Sequence, residues 1–448
     1  MNNTETKHCQ NCKIQFTIEP EDFNFYEKIQ VPAPTWCPEC RLIRRMSWRN
    51  ERTLYKRKCD VPDHSEEIIS IFSPDKSLKV YDEHYWKSDK WKGLIEYGRD
   101  YDFSRPFFIQ FLDLFLSAPI SNLINKNPIN SDYCNSTIDS KNYYLIFSSV
   151  ENEDCLYGYR LFRSKNCVDS SFLQNSELCY GCVNIEECYR VFFSQNIYQC
   201  IDSAFLFDCK NCQNCFGCVG LRNKQYSILN QPYSKEEYYQ QLEKLDLGSH
   251  RNIFKFLEKF SEIKLIKPHK YAQIFKSSNT TGNDIINSKN CRFCFFVHNL
   301  EDSKYITEVL KSGSTNYDLT TAPKPELCYE GLGVGTGYHN IFSMYLDASH
   351  DVEYCFFCPS SSNLFGCVGL RNKQYCILNK QYSKGEYLNL VSRIMNHMDE
   401  MPYVDKKGRV YKYGEFFPPE LSPFAYNETI AQEYFPLSKA EAESKGYS

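Results

Sequence analysis

The stretch FGCVGLRNKQYSILNQPYSKEEY, residues 216–238, returns almost unchanged as FGCVGLRNKQYCILNKQYSKGEY at residues 365–387. The two copies are identical at 19 of 23 positions. In each copy a serine, Ser234 or Ser383, opens a helical pattern and is followed three positions later by glutamate, which is the pattern of a capping box. The duplication therefore predicts two structural units of the same kind, each leading into a helix.

Cysteines and small polar residues recur between short aromatic runs before the first copy. Residues 152–217 can be divided into three successive segments of 24, 21 and 21 residues, in which Cys155, Cys179 and Cys200 occupy corresponding positions. A period just above 20, with short β-type segments and frequent Asn and Ser, is typical of a β-solenoid. Residues 271–379 contain the same combination of cysteines, small polar residues and aromatic pairs at less regular spacing, which predicts a second solenoid. A helix after each one would cover its unpaired strand edge.

The predicted fold is mainly β. It has an N-terminal zinc-ribbon or treble-clef-like module, followed by two duplicated β-solenoid (β-helix-like) domains, each capped by helices. The predicted boundaries are 1–95 for the zinc-binding module with its basic helix and following hairpin, 96–129 for a linker with a docking helix, 130–231 for the first solenoid, 232–268 for a helical cap and linker, 269–380 for the second solenoid, 381–400 for a second helical cap, and 401–448 for a Pro- and aromatic-rich tail.

Composition places the chain among globular proteins. It has 448 residues, of which 42% are hydrophobic and 16% aromatic, enough for several packed cores. No apolar run approaches the roughly 20 residues of a membrane span, and the start MNNTETKHCQNC lacks an apolar signal region. We therefore expect a cytoplasmic protein without a membrane partner. In that compartment its 23 cysteines should be thiols or metal ligands rather than disulfides.

Two C-x2-C pairs form the strongest chemical motif. Cys9 and Cys12 are followed, after 24 intervening residues, by Cys37 and Cys40. Such a separation lets four thiolates meet at one tetrahedral zinc. Four protein ligands leave no position for a reactive water, so we predict one structural zinc site. Iron bound by the same four sulfurs is the alternative.

A basic segment, RLIRRMSWRNERTLYKRK, follows directly at residues 41–58. It holds six Arg and two Lys against one Glu, a local charge of +7, so the rest of the chain sums to −11. On a helix its first arginines fall on one side around an aromatic ring, and Arg binds phosphate while Trp stacks on bases. We predict nucleic-acid contacts, with RNA or single strands preferred, at Arg41, Arg44, Arg45, Trp48, Arg49, Arg52, Lys56, Arg57 and Lys58. Neutralisation of the zinc thiolates, with the tryptophan in a core, is the structural alternative.

A second metal site is conceivable in the hairpin that follows. Cys59, His64, Asp82 and His84 lie at its two ends and are all zinc-ligand types. Only one of them is a thiol and their spacing is irregular, so we prefer a metal-free hairpin with surface histidines. Cys209, Cys212, Cys215 and Cys218 form a denser series at intervals of three. No second pair accompanies them, which favours compact core thiols over a metal site.

Three segments resemble a family of uncharacterised zinc-ribbon-containing proteins, rich in cysteine and aromatic repeats, from uncultured bacterial lineages. They are CPECRLIRRMSWRNERTLYKRKC, YGRDYDFSRPFF and NCFGCVGLRNKQYSILN, and the resemblance spans nearly the whole chain. It implies a zinc-ribbon repeat protein without an assigned activity. Relatives have a second cysteine quartet where this chain has Cys59, Pro62, Asp82 and Tyr85, a departure that argues against a second zinc.

No catalytic constellation is recognisable in the sequence. We therefore favour a non-enzymatic, zinc-stabilised scaffold that binds nucleic acid and presents solenoid surfaces to a protein partner. One alternative is a β-helix enzyme acting on polysaccharide, which needs a groove with two carboxyl groups about 5–9.5 Å apart. The other is a structural protein that associates with copies of itself.

Overall fold

The computed structural model of the protein describes residues 4–91, 93–309 and 311–448. Strands hold 34% of the chain and helices 22%, which confirms the mainly β class. The chain forms two compact units. The first unit combines Met1–Asn122 with Tyr271–Ser448, and the second unit is Leu123–Lys270. Within the described residues, no helix has both the length and the apolar character that crossing a membrane requires.

The N-terminal part of the first unit consists of short hairpins and helices. Two antiparallel hairpins pair β1 with β2 and β3 with β4, and one short parallel pair joins β5 to β6. Its elements are β1 (Glu5–His8), β2 (Gln15–Ile18), α1 (Pro20–Lys28), α2 (Pro38–Met46), β3 (Tyr55–Lys58), β4 (Glu67–Ser70), β5 (Val80–Tyr81), α3 (Glu83–Lys87), a 3₁₀ helix (Leu94–Tyr97), α4 (Phe107–Ser117) and β6 (Ile120–Ser121).

The second unit is a stack of short parallel strands followed by two helices. Its strands are β7 (Asn135–Ile138), β8 (Tyr144–Val150), β9 (Leu156–Phe162), β10 (Ser171–Gln174), β11 (Val183–Glu186), β12 (Tyr189–Phe192), β13 (Gln195–Tyr198), β14 (Ile201–Ala204), β15 (Gln213–Phe216), β16 (Gln225–Ile228) and β17 (Gln231–Pro232). Its helices are α5 (Lys235–Lys244) and α6 (His250–Ile266).

Parallel pairing in the second unit has an offset of 12 residues. Leu173 on β10 lies opposite Ile185 on β11, and Ile185 lies opposite Ile197 on β13. The period just above 20 that we expected from the sequence is therefore wrong. The 24-residue spacing between Cys155 and Cys179 equals two of these 12-residue steps. The 21-residue spacing between Cys179 and Cys200 is not a multiple of 12, so these two residues are not at equivalent positions in the stack.

A three-residue repeat underlies each 12-residue step. Every third side chain points inward, as Cys182, Ile185 and Cys188 do at 0–3% exposure. The residue before an inward one adopts positive φ, for example Asn184 at 55° and Glu187 at 53°. L-residues enter this region at a cost that Asn and Asp bear best, which explains their frequency here. Four such turns separate each residue from its partner in the stack.

The helices of the second unit pack on the end of its stack. Phe256 of α6 lies 4.5 Å from Phe216 and 5.0 Å from Phe205, measured between ring centroids. Gly217 makes this contact possible, because it has a φ of 64° and a Cβ there would lie 2.6 Å from the Phe256 ring. The first capping box is present: Ser234 accepts a hydrogen bond from the backbone N–H of Glu237.

The C-terminal part of the first unit contains the other parallel stack. Its elements are β18 (Ile274–Phe275), β19 (Gly282–Ile286), β20 (Lys289–Arg292), β21 (Cys294–His298), β22 (Leu300–Val309), β23 (Gly313–Ser314), β24 (Tyr317–Thr320), β25 (Pro325–Glu326), β26 (Tyr329–Val334), β27 (Gly337–Ile341), β28 (Met344–Leu346), β29 (Ser349–Glu353), β30 (Ser362–Phe365), β31 (Gln374–Ile377), β32 (Lys380–Gln381), α7 (Lys384–Glu400), β33 (Tyr403–Val404), β34 (Val410–Tyr411), 3₁₀ helices (Pro419–Leu421 and Tyr426–Glu428), α8 (Ile430–Tyr434) and α9 (Lys439–Ser444).

This stack has the same 12-residue offset over most of its length. Tyr317 lies opposite Tyr329, and Tyr338 lies opposite His350. One residue more separates Glu301 from its partner Ser314. The stack ends in an antiparallel pairing of β31 with β32, and α7 then begins with the second capping box at Ser383.

The two copies of the repeated stretch have the same local geometry. Asn230 and Asn379 each accept a hydrogen bond at Oδ1 from the backbone of a valine, at 2.8 and 2.9 Å. Gly366 matches Gly217, with a φ of 66° and a hypothetical Cβ 2.9 Å from the Phe107 ring. Phe107 belongs to α4, so this helix lies against the stack of the first unit. In each unit the repeated glycine leaves room for an aromatic ring from a helix.

Candidate metal centre

Four cysteines meet at the N-terminal end of α2. Cys9 and Cys12 lie in the turn between β1 and β2, where the backbone N–H of Cys9 donates to Ile14 at 2.9 Å. Cys37 is the N-cap of α2, and Cys40 lies in its first turn. The positive end of the helix dipole favours thiolates at this position. The hairpin and the helix thus each contribute one C-x2-C pair.

The sulfur positions suit a tetrahedral ion. All four Sγ atoms lie within 4.8 Å of one another, and Cys12 Sγ lies 3.7 Å from Cys37 Sγ. Sulfurs at about 2.3 Å from a tetrahedral zinc are about 3.8 Å apart, so the observed spacing fits. These four residues can hold a metal ion, and the predicted ligand group is confirmed as a cluster.

Polar groups around the sulfurs stabilise negative charge. The amide of Asn11 donates to Cys40 Sγ at 3.3 Å, and the backbone N–H of Cys37 donates to Cys9 Sγ at 3.2 Å. Hydrogen bonds from the thiols of Cys37 and Cys40 place the pKa of Cys9 far below its usual range. Such outer contacts orient metal ligands and stabilise their ionised form.

The four residues of the alternative second metal site, Cys59, His64, Asp82 and His84, do not form a ligand cluster in the structure. In the described part of the chain, only the four N-terminal cysteines bring three or more ligand atoms of this kind within 4.8 Å of one another. Asp82 instead caps α3, accepting from the backbone of His84 at 3.0 Å, and Cys59 accepts from the backbone of Asp82 at 3.4 Å. His64 lies beside Glu66. In this structure these residues make local contacts within the N-terminal part of the chain.

The arginines of α2 are buried, which corrects their predicted place on a nucleic-acid surface. Arg41, Arg44 and Arg45 have side chains that are 0–2% exposed. Each is paired with carboxylates of the C-terminal parallel stack or of the chain that follows it. In this conformation none of the three can reach a phosphate outside the protein.

Three carboxylates balance these three guanidinium groups. Arg41 donates to Asp318 at 2.8 Å, and Arg44 donates to Glu330 and Glu415, each at 2.7 Å. Arg45 lies 3.3 Å from Asp318 and 3.5 Å from Glu330. We call these six residues the arginine–carboxylate cluster. Because they are out of water, removing one member leaves an opposite charge unpaired.

The buried charges of the cluster shift the pKa values of Arg44 and Glu330. Burial lowers the pKa of Arg44, but the charges of Glu330 and Glu415 outweigh that effect, so the pKa is raised overall. Burial raises the pKa of Glu330 overall, although the charges of Arg44 and Arg45 act in the opposite direction. Charge compensation thus does operate here, with carboxylates as the partners instead of the zinc thiolates that the sequence had suggested.

The remaining basic residues also differ from the expected open surface. Trp48 is buried beside Phe417, 5.3 Å between ring centroids, and Arg49 is buried against Glu51. Arg57 is buried as well and donates to Asp60. Arg52, Lys56 and Lys58 are exposed, but Arg52 pairs with Glu433 and Lys56 with Glu67. Little unpaired positive charge is left on this segment.

Sequence reasoning missed the acidic half of the cluster. Asp318 and Glu330 both occupy positive-φ positions, 12 residues apart on adjacent strands. A 12-residue register would have placed them side by side and next to the buried column of the stack. The charge of −11 outside the basic segment was the available signal, but composition alone does not say which carboxylates are buried.

Interior cysteines act as small polar core residues. Cys182 Sγ donates to the carbonyls of Tyr180 and Val191, both at 3.4 Å. Ser349 makes the same pair of contacts in the other stack, to Asp347 at 3.1 Å and Cys358 at 2.8 Å. A thiol and a hydroxyl therefore serve the same purpose at inward positions, bridging one turn to the next. This supports core thiols over a second metal site.

No protein-family model and no curated protein sequence matches this chain.

Proposed function

We propose that the protein is a zinc-stabilised, non-enzymatic binding scaffold. The arginine–carboxylate cluster carries the proposal, because it joins the helix at the metal site to the parallel stack of the first unit through buried charges. Zinc is the metal we propose, since four thiolates in tetrahedral spacing are its usual structural site. With four protein ligands the ion would fix the start of α2 and leave no position for catalysis.

We also propose that both parallel stacks are β-solenoids derived from one duplicated ancestor. The shared 12-residue offset, the matched Asn230 and Asn379, and the two capping boxes support this reading. The N-terminal hairpin and helix around the cysteines support a treble-clef-like module. Membership of the uncharacterised zinc-ribbon family belongs to the same proposal, because its motifs fall on these parts.

A scaffold of this kind presents its outward columns to a partner. In the three-residue repeat, the inward side chains form the core and the positive-φ residues form the turns. A partner would therefore bind the outward side chains or the docked helices. Nucleic-acid binding remains a prediction. It would now have to use Arg52, Lys56 and Lys58, which keep exposed side chains.

Metal content and nucleic-acid binding test this proposal together. Purified protein is expected to contain about one zinc, and its removal by a chelator should lower the unfolding midpoint of the first unit. Titration with labelled single-stranded RNA and with duplex DNA over a range of salt would reveal any electrostatic binding. An Arg52→Glu/Lys56→Glu/Lys58→Glu variant is the matched comparison.

Three outcomes are informative. Zinc loss without any change in unfolding would refute the scaffold proposal, since the metal would then not hold α2 in place. Salt-dependent binding that disappears in the triple variant would establish a nucleic-acid surface on β3 and add that partner. An absence of binding, with zinc-dependent unfolding retained, leaves a scaffold whose partner is not a nucleic acid.

A further inference from the structure

A groove of about 590 Å³ lies on the C-terminal stack of the first unit. Its volume is within the roughly 300–1,000 Å³ of small-molecule and cofactor sites. Polar side chains and one tyrosine dominate its lining, among them Asn299, Glu301, Lys324, Glu326, Tyr338 and His350. This groove is separate from the four cysteines and the arginine–carboxylate cluster, and neither of them accounts for it.

Strand register aligns four of these side chains in one column. Glu301 pairs with Ser314, which pairs with Glu326, followed by Tyr338 and His350 on the next two strands. Residues at one register position face the same side of a sheet, and adjacent strands are about 4.8 Å apart. The column from Glu301 to His350 crosses four such spacings and is therefore about 19 Å long.

Two glycines form the floor of the groove. A Cβ on Gly337 would lie 2.8 Å from the carbonyl oxygen of Ser349, and one on Gly313 would lie 2.9 Å from that of Pro325. Any larger residue would therefore push into the neighbouring strand. These glycines therefore let adjacent strands approach closely where they line the groove.

Polar groups of the groove are available to a ligand. Among residues 4–91, 93–309 and 311–448, no hydrogen bond or ion pair engages the side-chain charges of Glu301, Lys324 or Glu326. The ring of Tyr338 is exposed, at 45% of its surface. This differs from Asp318 and Glu330 on the same stack, whose carboxylates are buried and fully paired.

We propose that this groove binds an extended, uncharged oligosaccharide. Carboxylates and hydroxyls can exchange hydrogen bonds with sugar hydroxyls, and the exposed Tyr338 ring can pack against the apolar face of a sugar ring. An elongated column of such groups suits a chain of sugars better than a compact ligand. The proposal concerns binding and assigns no catalytic step, and it does not depend on the zinc centre.

Charge and backbone pairing exclude two other ligand classes. The two glutamates outnumber Lys324, so the groove carries net negative charge and repels polyanions such as RNA or acidic polysaccharide. A peptide bound as an added strand needs an open edge with unpaired backbone groups. The strands around Tyr338 already pair on both sides, with β25 and with β29.

The test uses the full-length protein and isothermal titration calorimetry. The probes are cellohexaose, xylohexaose, mannohexaose and laminarihexaose, with polygalacturonate and single-stranded RNA as polyanion controls. We expect at least one neutral hexaose to bind, with affinity independent of salt. Tyr338→Ala and Glu326→Gln should each weaken it at least tenfold, while Tyr189→Ala, an equally exposed tyrosine of the second unit, leaves it unchanged.

Melting temperature and zinc content should be unaltered in all three variants, which would exclude misfolding as the cause of weaker binding. The proposal is overturned if none of the four hexaoses binds. It is also overturned if binding survives Tyr338→Ala unchanged, or if a polyanion competes with the bound hexaose.

Discussion

Replacing Glu330 by glutamine should destabilise the first unit strongly. Glu330 accepts a hydrogen bond from Arg44 at 2.7 Å and lies 3.5 Å from Arg45, and all three side chains are fully buried. The substitution keeps the shape of the side chain but removes its charge. Three guanidinium groups then face only Asp318 and Glu415, so one positive charge is left without compensation in the interior.

Breaking a buried pair by removing one partner costs roughly 3–5 kcal/mol. Since about 1.4 kcal/mol is a factor of ten, the folding equilibrium of the first unit should fall by roughly two to four orders of magnitude. Removing one member of a buried ion pair destabilises a protein more than replacing both members by apolar residues. Changing Arg44 and Glu330 together to Met and Leu should cost less than Glu330→Gln alone, because the cluster then stays neutral, with two guanidinium groups and two carboxylates. Glu415 loses Arg44 in this double variant but keeps its hydrogen bonds from Thr35.

Urea unfolding monitored by tryptophan fluorescence is the assay, since the four tryptophans all lie in the first unit, at positions 36, 48, 86 and 91. Glu67→Gln is the matched control: this carboxylate of the first unit also meets a cation, Lys56, but on an exposed surface. We expect no shift of the fluorescence midpoint for the control. Equal midpoints for Glu330→Gln and the unmodified protein would refute the role of the cluster.

Three further predictions concern the turns, a buried carboxyl and the thiols. Asn175 has a φ of 48°, so Asn175→Val should lower the free energy of unfolding by about 1–2 kcal/mol, whereas Asn175→Gly should be tolerated. Thermal melts of the two variants test this difference. Burial raises the pKa of Glu186 to about 7, above the roughly 4.3 of an unfolded chain. The protonated form thus favours folding, stability falls as the pH rises between these values, and Glu186→Gln should abolish that slope in melts at pH 4–8. Alkylation of the native, metal-free protein, followed by mass spectrometry, should modify Cys12, the exposed thiol of its cluster, and leave the buried Cys167 unmodified. Cys167→Ser should be tolerated, because the serine oxygen can make the same two hydrogen bonds to backbone carbonyls.

The sequence predicted those parts whose cause is local. Both C-x2-C pairs and the capping boxes at Ser234 and Ser383 depend on short spacings, and both features are present in the structure. The mainly β class also followed from short aromatic runs between polar turns. These features need no knowledge of distant contacts.

Register was the missing information. The spacing of Cys209, Cys212, Cys215 and Cys218 already showed the three-residue repeat. Similarity between longer sequence segments suggested a period above 20 instead. The arginines of α2 show the same difficulty, because a basic helix face looks alike whether its partners are phosphates or carboxylates of the same chain. Asp318 and Glu415 are more than 270 residues away from Arg41, so only the folded structure identifies them.

Elemental analysis of the purified protein, compared with a Cys37→Ser/Cys40→Ser variant, tests the central claim most directly. The account predicts about one zinc per chain and none in the variant, because the four cysteines at the start of α2 are its ligands. Metal-free protein, or zinc retained in the variant, would contradict the structural site. Four or more zinc ions per chain would show that the interior thiols bind metal and that their assignment as core residues is wrong.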